Sequence, residues 1–181
     1  MAYKNKILAT AAMRIRFLQT AKDTNGKMLE METTYYPTTD KPPVHYHPFQ
    51  IEYFTIIKGE MMVMINDEIK YYTEGESFIT NPGEPHAMWN GSEKETIVTW
   101  KVSPAMNTEN FFETINGLIA EGKPVNKGLK GLLQMALMAN KFSPVFRLAK
   151  PPFFIQKIIF SILSPVAWLI GYRSSYEKYI D

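Results

Sequence analysis

Cysteine is absent from this 181-residue chain. That excludes a disulfide framework, a cysteine nucleophile, thiolate zinc sites and iron–sulfur ligation by cysteine. Histidine is scarce, with only three in the sequence. The N-terminal stretch MAYKNKILATAAMRIRF has no apolar run long enough for a secretory signal, so a cytoplasmic location is the expectation. Acidic residues are missing from one long segment: Lys123 to Arg173 holds eight Lys/Arg and no Asp or Glu. The remaining composition, 45% hydrophobic and 21% charged, is that of a packed chain rather than a disordered one. Its length allows one domain of ~150 residues and a remainder.

The two parts obey different rules. Residues 1–107 carry 11 Lys/Arg against 13 Asp/Glu, and residues 108–181 carry 9 against 5. The first part reads as strands. In residues 27–36, Leu29, Met31, Thr33 and Tyr35 fall on one face, and Met28, Glu30, Glu32 and Thr34 on the other. This period of two marks a half-buried strand. Further strands are expected at Met13–Gln19, Ile51–Lys58, Met61–Ile65, Ile69–Tyr72, Ser77–Thr80 and Thr96–Val102. Turn signals separate them: DTNG at 23–26, Lys58-Gly59, Asn66-Asp67, Glu74-Gly75, Pro82-Gly83 and Asn90-Gly91. Short strands at this spacing predict a sandwich or barrel, not a parallel βαβ sheet.

His45 and His47 are two apart, which on a strand puts both rings on one face. Glu52 follows past the Pro48 bend, and His86 follows the turn NPGEP. A lone histidine ordinarily serves packing or surface, and an H-x-H pair alone is a weak signal. Three imidazoles with one carboxylate, however, suit a divalent transition metal such as Fe, Mn, Ni, Co or Zn.

At this spacing the sequence resembles the cupin superfamily. The first cupin motif, G-x5-H-x-H-x3,4-E-x6-G, is matched by His45-Tyr46-His47, four residues, Glu52, six residues and Gly59. The second, G-x5-P-x-G-x2-H-x3-N, is matched by Gly75, Gly83, His86 and Asn90. Two positions depart: the leading glycine of the first motif falls at Thr39, and the proline of the second at Asn81, with Pro82 one place later. Both concern turns. The match covers about Lys27–Val102, and the chain is most similar to small, single-domain, quercetin-dioxygenase-like bacterial members. The resemblance implies a mainly β fold, a double-stranded β-helix or jelly-roll barrel over residues 1–107, followed by a helical C-terminal extension over 108–181. It implies metal ligands His45, His47, Glu52 and His86 on one divalent transition metal (Fe, Mn, Ni or Zn), and a homodimer.

Strand parity then carries the pocket. With Glu52 inward, Phe54 and Ile56 point inward, and Met88 and Asn90 share the side of His86. Tyr35, Phe54, Ile56 and Met88 are therefore the pocket candidates for a small-molecule ligand, with simple barrel core as the competing reading. Trp100 has no fixed parity, and Tyr46 faces away as packing. The carboxylates Glu60, Asp67, Glu68, Glu74, Glu76 and Glu84 read as solvated turn residues.

After Pro104 the period turns helical. Thr108–Glu121 has Thr108 as N-cap, a stripe of Phe111, Phe112, Ile115, Leu118 and Ile119, and a stop at Gly122-Lys123-Pro124. Leu129–Phe142 is a second helix, and Pro144–Leu148 a short third piece. A last helix starts at Phe153, bends or restarts at Pro165 and reaches Ile170. Its Ile155, Ile158, Ile159, Ile162, Val166, Leu169 and Ile170 fall on one face. Eighteen residues with Gln156, Lys157, two serines and a proline fall short of a simple span. Three uses stay open for this extension: packing on the barrel or a second subunit, peripheral contact with an anionic membrane surface, and binding another protein. Nucleic acid is not expected, since the cations are interleaved with aliphatics and no binding motif is present.

Three functional classes remain: a metalloenzyme, a binding or sensor module, and a structural dimer with a vestigial site. As an enzyme the chain would be a metal-dependent dioxygenase or isomerase, with Glu52 released as a base in the isomerase case. Four intact ligand positions count against the vestigial site.

Overall fold

The computed structural model describes residues 2–38, 40–123, 125 and 128–180. Ten strands come first: β1 (Ile7–Ala9), β2 (Met13–Gln19), β3 (Leu29–Tyr35), β4 (His45–Tyr46), β5 (Ile51–Lys58), β6 (Glu60–Ile65), β7 (Glu68–Thr73), β8 (Ser77–Thr80), β9 (His86–Trp89) and β10 (Thr96–Ser103). Then follow α1 (Thr108–Ala120), α2 (Gly128–Lys141), β11 (Arg147–Leu148), α3 (Phe153–Leu169) and α4 (Glu177–Ile180). The strands form two antiparallel sheets, ordered β1-β2-β3-β10-β5-β8 and β11-β4-β9-β6-β7. Both sheets give side chains to one core, with Ile15, Phe17, Met31 and Phe54 from the first and Met61, Val63 and Met88 from the second. This is the expected jelly-roll architecture.

Alternation explains the strands. In β5, Glu52, Phe54 and Ile56 are buried, while Tyr53 between them and Ile57 after them are exposed. In β3, Leu29, Met31, Thr33 and Tyr35 are buried as the pattern requires. Strand β9 is buried on both faces, because Ala87 and Trp89 pack outward against Met64.

The one-residue connection between β5 and β6 depends on Gly59. Its φ is +83°, and a Cβ there would lie 2.9 Å from the Glu95 carbonyl oxygen. Only glycine takes that conformation without strain. The counterpart position at the start of the first motif, Thr39, lies outside the described residues.

Three expectations for the extension need correction. The piece at Pro144–Leu148 contains a strand, not a helical turn. Arg147 and Leu148 pair with Tyr46 and His45, satisfying the edge of the short strand β4. Thr108 is not the N-cap of α1. Asn107 stands there without a side-chain cap bond, and Thr108 is buried with its hydroxyl accepting from Gln50. Helix α3 does not restart at Pro165, which sits inside a continuous 17-residue helix. Pro165 lies on the exposed side, where its missing N–H disrupts little. The stops at Gly122 and Gly171 fall where expected; Pro124 lies outside the described residues.

Helices α1 and α2 share a core of Phe111, Leu118, Met138, Phe142 and Val145. Helix α3 packs on α2 through Phe160 and Ala167. Among the described residues, no helix is long and apolar enough to cross a membrane. Gly59→Ala is expected to cost about 1–3 kcal/mol through backbone strain. The measurement is a lower urea midpoint with an unchanged slope.

Candidate metal centre

Two strands and one turn gather the histidines. His45 in β4 lies directly across from His86 in β9. His47 follows the end of β4, and its carbonyl accepts the Gly83 N–H at 2.8 Å. The turn at 81–84 thus locks the two motif halves together. Glu84 organises that turn, its carboxylate accepting from the Asn81 N–H at 2.9 Å and from the Asn66 amide at 3.1 Å. This is the work that the missing proline at Asn81 would have done, and it corrects the reading of Glu84 as merely solvated.

The three rings come within 4.5 to 5.2 Å of one another, centroid to centroid. One ring nitrogen from each lies within 4.8 Å of the other two. Every Nδ1 has a backbone carbonyl partner: Pro43 for His45 at 3.1 Å, Val145 for His47, and Glu84 for His86 at 2.9 Å. A carbonyl only accepts, so each Nδ1 carries its proton and donates. Each Nε2 is left with a lone pair. The Nε2 atoms of His47 and His86 are buried and make no aligned hydrogen bond among the described residues. They lie instead 3.2 and 3.1 Å from Oε2 of Glu52.

Glu52 is fully buried at the first turn of β5. Its Oε1 accepts the Trp100 indole N–H at 3.0 Å, and its Oε2 accepts the Thr80 hydroxyl at 2.9 Å. Thr80 stands directly opposite Glu52 on β8. Burial alone pushes the Glu52 carboxyl up, but the facing imidazoles outweigh it and bring it to about 2. Burial pushes His45 down to about 3, with His86 and His47 adding to the effect. Burial also lowers His47. It opposes the charge on His86, yet the Glu52 contact prevails and His86 rises above its ordinary value.

These residues fit a divalent metal. Lone pairs and a carboxylate oxygen converge, the outer nitrogens are already tied to carbonyls, and among the described residues no Lys or Arg pairs with Glu52. Such carbonyl-bound histidines are the usual support of a metal ligand. His45, His47 and His86 could hold the ion together, with the Glu52 carboxylate beside them as a fourth candidate.

The four pocket candidates all lie in the barrel core. The Tyr35 hydroxyl contacts Met88 Sδ at 3.7 Å, and burial followed by the Glu52 charge raises its pKa. Phe54 stacks between Phe78 and Trp100, at 4.7 and 5.2 Å. Ile56 is buried two residues further along the strand. Asn90 is buried too, but it builds a turn: its amide donates to the Tyr35 and Lys94 carbonyls.

Four contributors were not identified from sequence. Trp100 faces inward with Val98 and Val102 on the alternating strand β10, directly across from Phe54. Thr80 becomes visible once β8 is paired with β5. Val145 and Phe146 gave no signal, because they come from the extension. Phe146 stacks on His45 at 4.9 Å, and the Val145 carbonyl orients His47. The extension therefore finishes the site.

His86→Ala is expected to reduce bound metal from about one equivalent to near none, read by elemental mass spectrometry. Trp100→Phe keeps the ring stack but deletes the N–H to Glu52. It is expected to weaken metal affinity by about 10–100-fold, measured by competition with a chelating dye.

Comparison with known proteins agrees with this geometry. The cupin domain family model, Cupin_2, matches residues 31–102. A protein named as an oxidoreductase from Arthrobotrys oligospora is 36% identical over 73 residues, covering 39% of this chain and 29% of that protein. The chain thus spans less than a third of that relative's length. The oxidoreductase-named virH protein of Hypocrea virens is 25% identical over 177 residues, covering 87% of this chain and 79% of that protein. An alignment that long continues past the barrel into the helices. An RmlC-like cupin from Shewanella frigidimarina has a similar fold, with a TM-score of 0.50 at 20% identity over 58% of this chain and 88% of that one. The barrel, the paired motifs and the family match agree that residues 31–102 of this chain form a cupin domain.

Proposed function

We propose that the protein is a metal-dependent cupin that oxidises or cleaves a small organic molecule, with dioxygen as the oxidant. One observation carries the metal part of this reading. Three imidazoles have their Nδ1 atoms committed to carbonyls, and two buried Nε2 atoms meet one carboxylate oxygen. The oxidoreductase names of the two curated relatives support the oxidative part.

A divalent transition metal held there supplies Lewis acidity and, when it is iron, manganese or nickel, redox chemistry with dioxygen. The chain supplies the rest. Glu52 gives a fixed negative charge, with Trp100 and Thr80 holding each of its oxygens in place. The Val145 carbonyl fixes the tautomer and tilt of His47. Phe146 covers His45 and excludes water from that side. The core residues Tyr35, Phe54, Ile56 and Met88 make the surroundings of the site apolar, which suits a substrate with an apolar body. For Glu52 to act as a base it would have to leave the ion and the two imidazoles that face it. We therefore place isomerisation or decarboxylation second to oxidation.

A non-catalytic sensor is the alternative, and one observation favours it: the extension reaches the site through Val145 and Phe146, so site occupancy is tied to the helices. Turnover separates the two. The iron-, manganese- or nickel-loaded protein is expected to consume dioxygen in the presence of small aromatic or unsaturated substrates, followed with an oxygen electrode, and the His86→Ala variant is expected not to. Tight metal binding without oxygen uptake or product across such a panel would sink the enzyme reading and leave the sensor.

A further inference from the structure

Helix α3 is mounted with its apolar side out. Its inward side is anchored by polar groups. The Gln156 amide donates to the Leu148 and Pro151 carbonyls at 2.8 and 2.6 Å, and the Asn140 amide on α2 donates to the Ser164 hydroxyl at 2.7 Å. Gln156, Phe160 and Ala167 are its buried residues. The opposite side carries Phe154, Ile158, Ile162 and Leu169, between 58% and 75% exposed. At 100° per residue these four positions fall within an arc of about 80° along the helix. The orientation is thus specified by hydrogen bonds, and it corrects any expectation that this stripe packs on the barrel.

The charge along the segment that carries this helix is of one sign. Lys150 precedes the helix, Lys157 is exposed on its flank, and Arg173 follows its end with the guanidinium 5.2 Å from the exposed Trp168 ring. No acidic residue occurs from Lys123 to Arg173. Two copies pairing through α3 would bring these cations together with no carboxylate in the segment to offset them. An anionic surface offers the opposite charge. With 17 residues the helix is about 25 Å long, short of a span and suited to lying in the interface.

We propose that the outward face of α3 docks the protein on an anionic phospholipid bilayer. Phe154, Ile158, Ile162 and Leu169 enter the acyl boundary, Trp168 sits at the headgroup level, and Lys150, Lys157 and Arg173 meet the phosphates.

The test is co-sedimentation of the full-length, metal-loaded protein with vesicles. Phosphatidylglycerol mixed with phosphatidylcholine is compared with phosphatidylcholine alone, at low and high salt. Two double variants accompany the wild type, Ile158→Glu/Ile162→Glu and Lys150→Glu/Lys157→Glu. All four positions are exposed, and a thermal melt checks that each variant folds. Binding is expected on the anionic vesicles only, weakened by salt. The isoleucine variant is expected to lose about tenfold or more of the partitioning, and the lysine variant about fivefold or more. No sedimentation with anionic vesicles at low salt would overturn the proposal. So would equal binding to neutral vesicles, or a dimer by light scattering that the isoleucine variant converts to monomer.

Discussion

A carboxylate buried in an apolar barrel is the constraint around which the rest of the molecule is arranged. Glu52 is removed from solvent, and an isolated charge there is costly. Its neutral donors, Trp100 and Thr80, soften that cost without cancelling the charge. Compensation has to come from the imidazoles facing it or from a cation they hold. This is why β4, β9 and the turn at 81–84 converge here, and why backbone carbonyls take up all three Nδ1 protons. A hydrophobic residue at this position would pack more simply; the cost of keeping a carboxylate points to chemistry.

The barrel was legible in the sequence because alternation is local. Leu29 to Tyr35 and Glu52 to Ile56 declare their inward faces without reference to other strands. The histidines and Glu52 were legible for a related reason: the spacing of each motif is set within a short stretch that crosses once between the two sheets. Trp100 was not, because the adjacent apolar pair Ile97 and Val98 blurs the phase of β10 in the sequence, although its buried residues alternate through Thr96, Val98, Trp100 and Val102. Val145 was invisible in principle. It acts through its carbonyl, which every residue possesses, and it lies 98 positions from the ring it holds.

The helices show the opposite failure. Periodicity located α1, α2 and α3 closely, but it states which residues share a face and not where that face points. In α1, the buried set includes Glu113, Thr114 and Asn116 beside the apolar stripe, with Glu113 paired to Lys6 at 2.6 Å. In α3, the most apolar side is the exposed one. Gln156 and Ser164, which look like interruptions in an apolar helix, are the residues that fix its orientation.

The strand formed by Arg147 and Leu148 has a consequence for how the protein can be divided. It completes the edge beside His45, and the two residues before it supply the support for His47 and the cover for His45. A barrel cut at residue 107 would retain every ligand side chain yet be a different coordination environment, with one imidazole free to change tautomer and another bared to water. The boundary where the fold class changes along the chain is therefore not a boundary of the functional unit. Swapping the extension between related barrels would be a way to retune the centre without touching a single ligand.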